Sequence, residues 1–175
     1  MDAAHFVLAP FLGFLWSFTR LFIPAPAGRQ RYNVLGAINA LTLELVTVTN
    51  ETYINAASVC ELLGKIAALS LGIPITLVLD NAKYQSCAAV MECAESLSIE
   101  LLFLPPYSPN LNLIERLWKF IKKKCLYSHY YDKFPAFKAA INGCIDKLAT
   151  EYKNELAGLM TLKFQTFKDV QVVAR

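Results

Sequence analysis

The sequence predicts a mixed α/β domain in which helices cover a central sheet. Segments with the two-residue period of β-strands alternate with segments that have the helical period, an order typical of α/β layer folds. Ile75–Leu79 is a continuous apolar run, which favours a strand that is covered on both faces, and Ile99–Leu104 is predicted to be another short buried strand. The chain has 175 residues, of which 55% are hydrophobic and 18% charged. It is therefore long enough for one well-buried domain and too apolar to be disordered.

The N-terminal part is predicted to be β structure. Residues 2–23 are apolar and rich in aromatic side chains, and we expect them to form strand. Tyr32–Leu41 and Leu43–Val48 follow as two adjacent strands joined by a tight turn. The apolar run Phe6–Phe18 has about half the length that a membrane-spanning helix needs, so no membrane association is expected.

The rest of the chain is predicted to contain four helices around the two apolar strands. The first helix spans Ala56–Leu71, and its apolar positions recur with the helical period at Val59, Leu62, Leu63 and Ile66. The second helix lies between the strands, with an inner stripe formed by Val90, Met91, Ala94 and Leu97. This strand–helix–strand unit should be parallel and right-handed. Helices over Leu113–Tyr127 and Phe134–Leu148 complete the order.

The cysteines and the charge narrow the classes of function. The net charge of +3 is mild and does not by itself indicate a nucleic-acid partner. Five cysteines form no CxxC pair, and only two histidines accompany them. A zinc site is therefore not expected, and we interpret the cysteines as reduced thiols of a cytoplasmic protein.

Two acids lie at places where sites of α/β proteins form. Asp80 directly follows the strand Ile75–Leu79, and Glu115 lies in the first turn of a helix, with 34 residues between them. Ligands gather outside the carboxyl ends of the strands in such sheets, and carboxylates suit magnesium ions that promote phosphodiester displacement. Each acid also has a structural explanation. Asp80 would cap the following helix, and Glu115 would form a capping box with Asn112 as the N-cap.

Basic residues follow the second acid at once. Lys119 lies one helical turn beyond Glu115, and Lys122 and Lys123 lie a further turn away. A phosphate backbone would require such lysines beside a carboxylate site. The alternative is a solvated helix face with an ordinary ion pair between Glu115 and Lys119. Arg29 and Arg31 form a second, small basic patch.

Two segments together resemble the catalytic core of mariner-related bacterial insertion-sequence transposases. They are Val78–Ala82, which reads VLDNA, and Leu104–Glu115, which reads LPPYSPNLNLIE. That family carries a DDE catalytic triad on an RNase H-like fold. The resemblance extends from residue 2 to about residue 148.

The resemblance implies a role for individual residues. By position, Asp80 is the second acid of the triad and Glu115 the third. Asp2 is the only acid upstream of the hairpin at Tyr32–Val48, and it is expected to be the first. The residues expected to support the triad are Asn81, Tyr107, Ser108 and Asn112. Those expected to bind DNA are Lys119, Lys122, Lys123, Arg29 and Arg31.

The resemblance also implies fold and chemistry. We expect an RNase H-like mixed sheet flanked by helices on both faces, with residues 1–148 as the catalytic core and 149–175 as a C-terminal helical extension. Two Mg²⁺ (or Mn²⁺) ions bound by the triad would support cleavage of double-stranded DNA at transposon ends. The freed 3′-hydroxyl would then attack target DNA. The active assembly is expected to be a homodimer that acts on chromosomal DNA in the cytoplasm.

Two other functions remain open at this point. Transposases of this family carry a helix-turn-helix region before the core, and the resemblance leads us to expect that none is present here and that the strand leading into Asp2 is missing. These departures predict a truncated, catalytically inactive relic that acts at most as a binding or interaction module. A simple nuclease with the same fold, without strand transfer, is the other alternative.

Overall fold

The computed structural model of the protein describes residues 1–8, 16–22, 30–106, 108 and 111–164. Arg29 and Tyr107, two of the expected functional residues, lie outside these ranges. The described part of the chain contains five strands and five helices. In chain order they are β1 (Asp2–Val7), β2 (Arg31–Ile38), β3 (Leu45–Asn50), α1 (Ala56–Ala67), β4 (Ile75–Leu79), α2 (Ala88–Ser96), β5 (Ile99–Phe103), α3 (Ile114–Cys125), α4 (Phe134–Asp146) and α5 (Lys153–Leu159).

The strands form two sheets rather than the single sheet that we expected. The first sheet has the antiparallel order β1-β2-β3, and the second is the parallel pair β4-β5. A hydrogen bond from the amino group of Met1 to the carbonyl oxygen of Val78 (2.5 Å) connects the two at the start of β1. Since the paired residues of β1 begin at Asp2, β1 and β4 meet at their ends and do not form a continuous ladder.

Helices cover both faces of β2, as in the predicted layer arrangement, whereas one face of the second sheet is exposed at Thr76, Glu100 and Leu102. Strand β2 is buried throughout its middle, and its alternate residues enter different cores because successive side chains of a strand point to opposite faces. Val34 packs in a core with α3, α4 and α5, whereas Leu35 packs in a core with α1, α2, β4 and β5. The chain is therefore an α/β protein with a buried central strand.

The inner faces of the helices agree with the periodicity of the sequence, with one exception. All four predicted positions of α1 are buried, and this helix begins at Asn55, whose Oδ1 accepts a hydrogen bond from the backbone N–H of Ser58 (3.0 Å). Trp118 and Phe120 of α3 are also buried. The prediction for Met91 is wrong, since its side chain is 47% exposed. It lies about 100° around the helix from buried Val90 and so points away from the sheet.

The prediction of strand structure throughout residues 2–23 is also wrong. Strand β1 ends at Val7, and residues 16–22 contain no strand, with Trp16 99% exposed. A strand needs a hydrogen-bonded neighbour, and the ladder between β1 and β2 stops at the pair Val7–Arg31 because β2 begins there. No helix of the described residues is long and apolar enough to cross a membrane.

Candidate active site

The structure brings the three predicted acids together. Asp2 is the first residue of β1, Asp80 directly follows β4, and Glu115 is the second residue of α3. One carboxylate oxygen from each of the three lies within 4.8 Å of the others. Asp2 thus comes from the first sheet, Asp80 from the end of a strand of the second sheet, and Glu115 from the helix that packs on the first sheet.

A glycine lets the third acid approach the first. Gly36 is directly opposite Asp2 in the ladder between β1 and β2. Trp118, one turn after Glu115, packs against this glycine so closely that an added Cβ would lie 2.8 Å from its Cη2 atom. Because Gly36 has no side chain, α3 can approach β2 and hold Glu115 near Asp2. The sequence analysis missed Gly36, since its contact is with a residue 82 positions later.

Mutual repulsion and burial make the three acids a receptor for positive charge. The pKa of Asp2 is raised to about 6, first by burial and then by the charges of Glu115 and Asp80, against a hydrogen bond from the backbone of Ala3. A divalent cation would offset this repulsion. The donors are all carboxylate oxygens, which are hard ligands, so the set fits Mg²⁺ or Mn²⁺ and does not resemble the nitrogen and sulfur donors of a zinc site.

The structural explanations for the acids are wrong. Helix α2 begins after Cys87, seven residues beyond Asp80, so Asp80 does not cap it. Helix α3 has Leu113 at its N-cap position and no side-chain capping bond, so Asn112 and Glu115 do not form a capping box. The amide of Asn112 instead donates to Oδ1 of Asp80 (3.1 Å) and to the carbonyl oxygen of Met1 (3.3 Å).

Two expected supporting residues act on the backbone near the site. Asn81 donates through Nδ2 to the carbonyl oxygen of Leu104 (3.0 Å) and so joins the chain after β4 to the chain after β5. The hydroxyl of Ser108 donates to the carbonyl oxygen of Pro106 (3.4 Å) within the turn that precedes α3. Both contacts determine the path of the loops that carry Asp80 and Glu115.

Two further residues near the acids were missed in the sequence. Burial raises the pKa of the Tyr84 hydroxyl, and the charges of Asp2 and Asp80 raise it further, whereas a hydrogen bond with Gln85 lowers it. The hydroxyl therefore stays protonated and lies within electrostatic range of the acids. The Gln85 side chain is fully buried and its Nε2 lies 3.4 Å from the Tyr84 hydroxyl. The sequence signal that could have identified both residues is their position in the loop that follows Asp80.

The basic residues divide into a near group and a distant one. Lys119, Lys122 and Lys123, here named the lysine face, are exposed along α3 beyond Glu115, and no ion pair joins Lys119 to Glu115. Arg31 pairs with Val7, at the opposite end of β1 from Asp2. The two ends of this strand are about 17 Å apart. The structure thus places the lysine face on the helix of the third acid and Arg31 away from the acids.

The fold and the acids together define a class of protein. A central strand buried between two layers of helices, with three acids converging from β1, the end of β4 and the start of α3, defines an RNase H-like domain of the DDE type. Residues 2–138 match the family described as DDE superfamily endonuclease. This match covers more than half of the chain, and the chain belongs to that family.

Solved structures with the same fold include transposases. A Mos1 transposase paired-end complex with the left transposon end is 16% identical with a TM-score of 0.58, over 91% of this chain and 54% of that one. A Mos1 catalytic domain with Raltegravir and Mg is 15% identical with a TM-score of 0.56, over 94% of this chain and 84% of that one. The chain spans about half the length of the Mos1 chain in the paired-end complex. No curated protein sequence matches it.

Proposed function

We propose that this chain is the catalytic domain of a DDE transposase, and that Asp2, Asp80 and Glu115 are its catalytic triad. The observation that carries the proposal is the convergence of one oxygen from each acid within 4.8 Å. Membership in the DDE superfamily endonuclease family supports it, as does the absence of capping roles that would otherwise explain Asp80 and Glu115.

The triad would hold two Mg²⁺ or Mn²⁺ ions. Solved Mos1 structures were obtained with Mn and with Mg, which supports this choice of metal. When bound, a pair of such ions activates the attacking oxygen and stabilises the leaving oxygen of a phosphodiester. The acids supply the negative charge that retains the ions, while the Tyr84 hydroxyl beside them is a neutral hydrogen-bond donor that a phosphate oxygen can accept from.

Double-stranded DNA is the proposed substrate. The lysine face continues from the third acid along α3, so a phosphate backbone that enters the triad can follow these exposed ammonium groups. The related Mos1 structures include a pre-cleavage transpososome and a strand transfer complex. By analogy, the proposed reaction is cleavage at a transposon end followed by attack of the freed 3′-hydroxyl on target DNA, in a homodimeric assembly.

We assign residues 1–148 to the catalytic core and 149–175 to a C-terminal extension. The described part of the extension packs on α3, because Arg116 donates to the carbonyl oxygens of Leu159 (3.2 Å) and Thr161 (2.7 Å). An ion pair between Lys124 and Glu155 (2.7 Å) adds a second contact. The extension would therefore support the helix that carries Glu115.

The proposal is tested by nicking of supercoiled plasmid DNA in Mn²⁺, followed by gel electrophoresis. We expect Mn²⁺-dependent nicking by the wild-type chain and none above the metal-free level for Glu115→Gln or Asp80→Asn. Glu92→Gln is the matched control, since Glu92 is an exposed glutamate of α2, and it should nick like the wild type.

The alternative functions give different results in the same assay. Nicking that persists in both triad variants would contradict the proposal. A folded wild-type chain that binds DNA without nicking it would support the binding module. A transposon-end duplex labelled at the 5′ end of the strand that is to be joined, incubated with target plasmid, separates a transposase from a nuclease, because only the transposase transfers the label to the plasmid.

A further inference from the structure

Asn112 is one of three polar side chains that are buried in the described part of the chain, together with Asn33 and Gln85. Burying an amide is costly unless its donors and acceptor find partners. Asn112 is 3% exposed and lies two residues before α3, outside any capping role. Its burial is therefore explained by the two acceptors that its NH₂ group reaches.

Those two acceptors belong to the segments that carry the other acids. The Nδ2 atom has two hydrogens and lies 3.1 Å from Oδ1 of Asp80 and 3.3 Å from the carbonyl oxygen of Met1, the residue before Asp2. The backbone carbonyl of Asn112 accepts from the N–H of Glu115 (3.2 Å). One residue thus contacts the end of β4, the start of β1 and the first turn of α3.

These bonds restrict how the acids can move relative to one another. A hydrogen bond to one oxygen of Asp80 limits rotation of its carboxylate, and the second oxygen stays available to a cation. The bond to Met1 connects the two sheets beside the amino-group contact with Val78, where the strands share no continuous ladder. Ligands of a metal site need placement to about 0.5 Å by the groups around them.

We propose that Asn112 is a positioning residue of the triad, which holds Asp80 and the start of β1 in the arrangement that binds divalent cations. This inference rests on the proposed function. It goes beyond membership of the family, because it assigns to the amide of Asn112 the task of joining the end of β4 to the start of β1 at the acids.

The test measures Mn²⁺ affinity directly, by isothermal titration calorimetry on the full chain without DNA. Asn112→Leu keeps the volume of the side chain and removes the donor, and loss of such a partner typically weakens metal binding about 10- to 100-fold. If the leucine variant does not fold, Asn112→Ser serves as the second variant, because serine is too small to clash. Its hydroxyl cannot reach both acceptors. We expect at least a 10-fold loss for it as well.

Asn33→Leu is the matched control. Asn33 is an equally buried asparagine whose amide bonds Asn50 (2.8 Å) and His5 (2.7 Å), away from the acids. Its replacement should lower the melting temperature and leave Mn²⁺ affinity unchanged. Equal Mn²⁺ affinity in wild type and Asn112→Leu, or an equal loss in Asn33→Leu, would overturn the inference.

A second background separates positioning from general stability. If Asn112 acts through Asp80, then Asn112→Leu should cause a smaller loss of Mn²⁺ affinity in an Asp80→Ala chain than in the wild type, because only the bond to Met1 is left to remove. A purely structural role gives the same fold-loss in both backgrounds and contradicts the inference. A wild type that binds no Mn²⁺ refutes both this inference and the proposed function. If the wild type binds Mn²⁺ but does not nick DNA, only the proposed function fails.

Discussion

Gly36 offers a direct way to test how the triad is assembled, because it has no side chain of its own at the site and admits the helix that carries the third acid. We consider Gly36→Ala. The backbone at this position is ordinary strand, so the added methyl group acts through its contacts alone. It would lie 2.8 Å from Cη2 and 3.1 Å from Cζ2 of Trp118, and 3.3 Å from Cδ1 of Leu45. Carbon atoms prefer a separation of about 3.5–4.0 Å, so the indole ring must move by about 1 Å.

The ring cannot move alone. Trp118 is 2% exposed and packed in the core between α3 and the first sheet. Overpacking of such a site typically costs about 1–3 kcal/mol of unfolding free energy. Trp118 lies on the same face of α3 as Glu115, one turn later, so displacement of the helix moves Glu115 away from Asp2. A misplacement of about 1 Å can cost about 100-fold in rate.

Urea unfolding and the Mn²⁺-dependent nicking rate measure the two consequences. We expect Gly36→Ala to lower the unfolding free energy by about 1–3 kcal/mol and the nicking rate by about 100-fold. Gly64→Ala is the matched control, since a Cβ on Gly64 of α1 meets nothing within 4 Å and should stabilise the helix by up to about 1 kcal/mol.

A rescue variant makes the test specific to the contact with Trp118. The smaller ring of Trp118→Phe leaves room for the methyl group, so combining it with Gly36→Ala should restore part of the activity that the alanine alone removes. Wild-type stability and nicking in Gly36→Ala would refute the proposed link between this glycine and the triad. Strictly additive effects of the two substitutions would refute it as well.

Three further predictions concern charge. Asp80→Asn should raise the unfolding free energy of the metal-free chain by on the order of 1 kcal/mol, because it removes one of three repelling carboxylates, and urea unfolding in EDTA measures this. The pKa of Asp2 is raised from 3.8 to about 6, so the folded state favours the protonated carboxyl group. The contribution of this group to the unfolding free energy is fully present below about pH 4, and it is lost as pH rises from about 4 to 6, by at most about 3 kcal/mol. Asp2→Asn should not show this loss. The prediction is contradicted if the unfolding free energies of the wild type and Asp2→Asn differ by the same amount at every pH. Replacing all three residues of the lysine face by alanine should weaken DNA binding and reduce the slope of log affinity against log salt by about 0.9 per lost phosphate contact, whereas alanine at Lys65, an exposed lysine of α1, should not.

Elements whose burial follows from local periodicity were predictable from the sequence. Strand β4 has the predicted bounds Ile75–Leu79, and the four inner positions of α1 are those that recur with the helical period. Helix α3 spans Ile114–Cys125 instead of Leu113–Tyr127, a difference of one or two residues at its ends. In each case the buried positions recur with the period of the element itself, so the sequence pattern contains the information needed.

Features that depend on distant partners were not predictable in this way. Residues 16–22 belong to an aromatic-rich segment for which strand was predicted, yet they form none. The backbone pairing of β1 with the chain before and in β2 extends only to Leu8 and Gln30 in the described residues. The division of the strands into two sheets likewise depends on where β1 meets β4. Hydrophobicity within a segment indicates that it can be buried, whereas strand structure also requires a partner whose position is determined elsewhere in the chain.

The candidate site depends on both kinds of information. The motif around Glu115 predicted the acid but left its capping role open. The structure decides this, because the Asn112 amide donates to Asp80 and its side chain accepts from no N–H of α3. Asp2 joins the other acids because its partner in the ladder, Gly36, admits Trp118 and with it α3. A side chain on Gly36 or an apolar residue at position 112 would leave every acid in the sequence and still separate them in space. The triad is therefore a property of packing between elements, and variants that disturb this packing, while all three carboxylates are retained, test it more stringently than removal of an acid does.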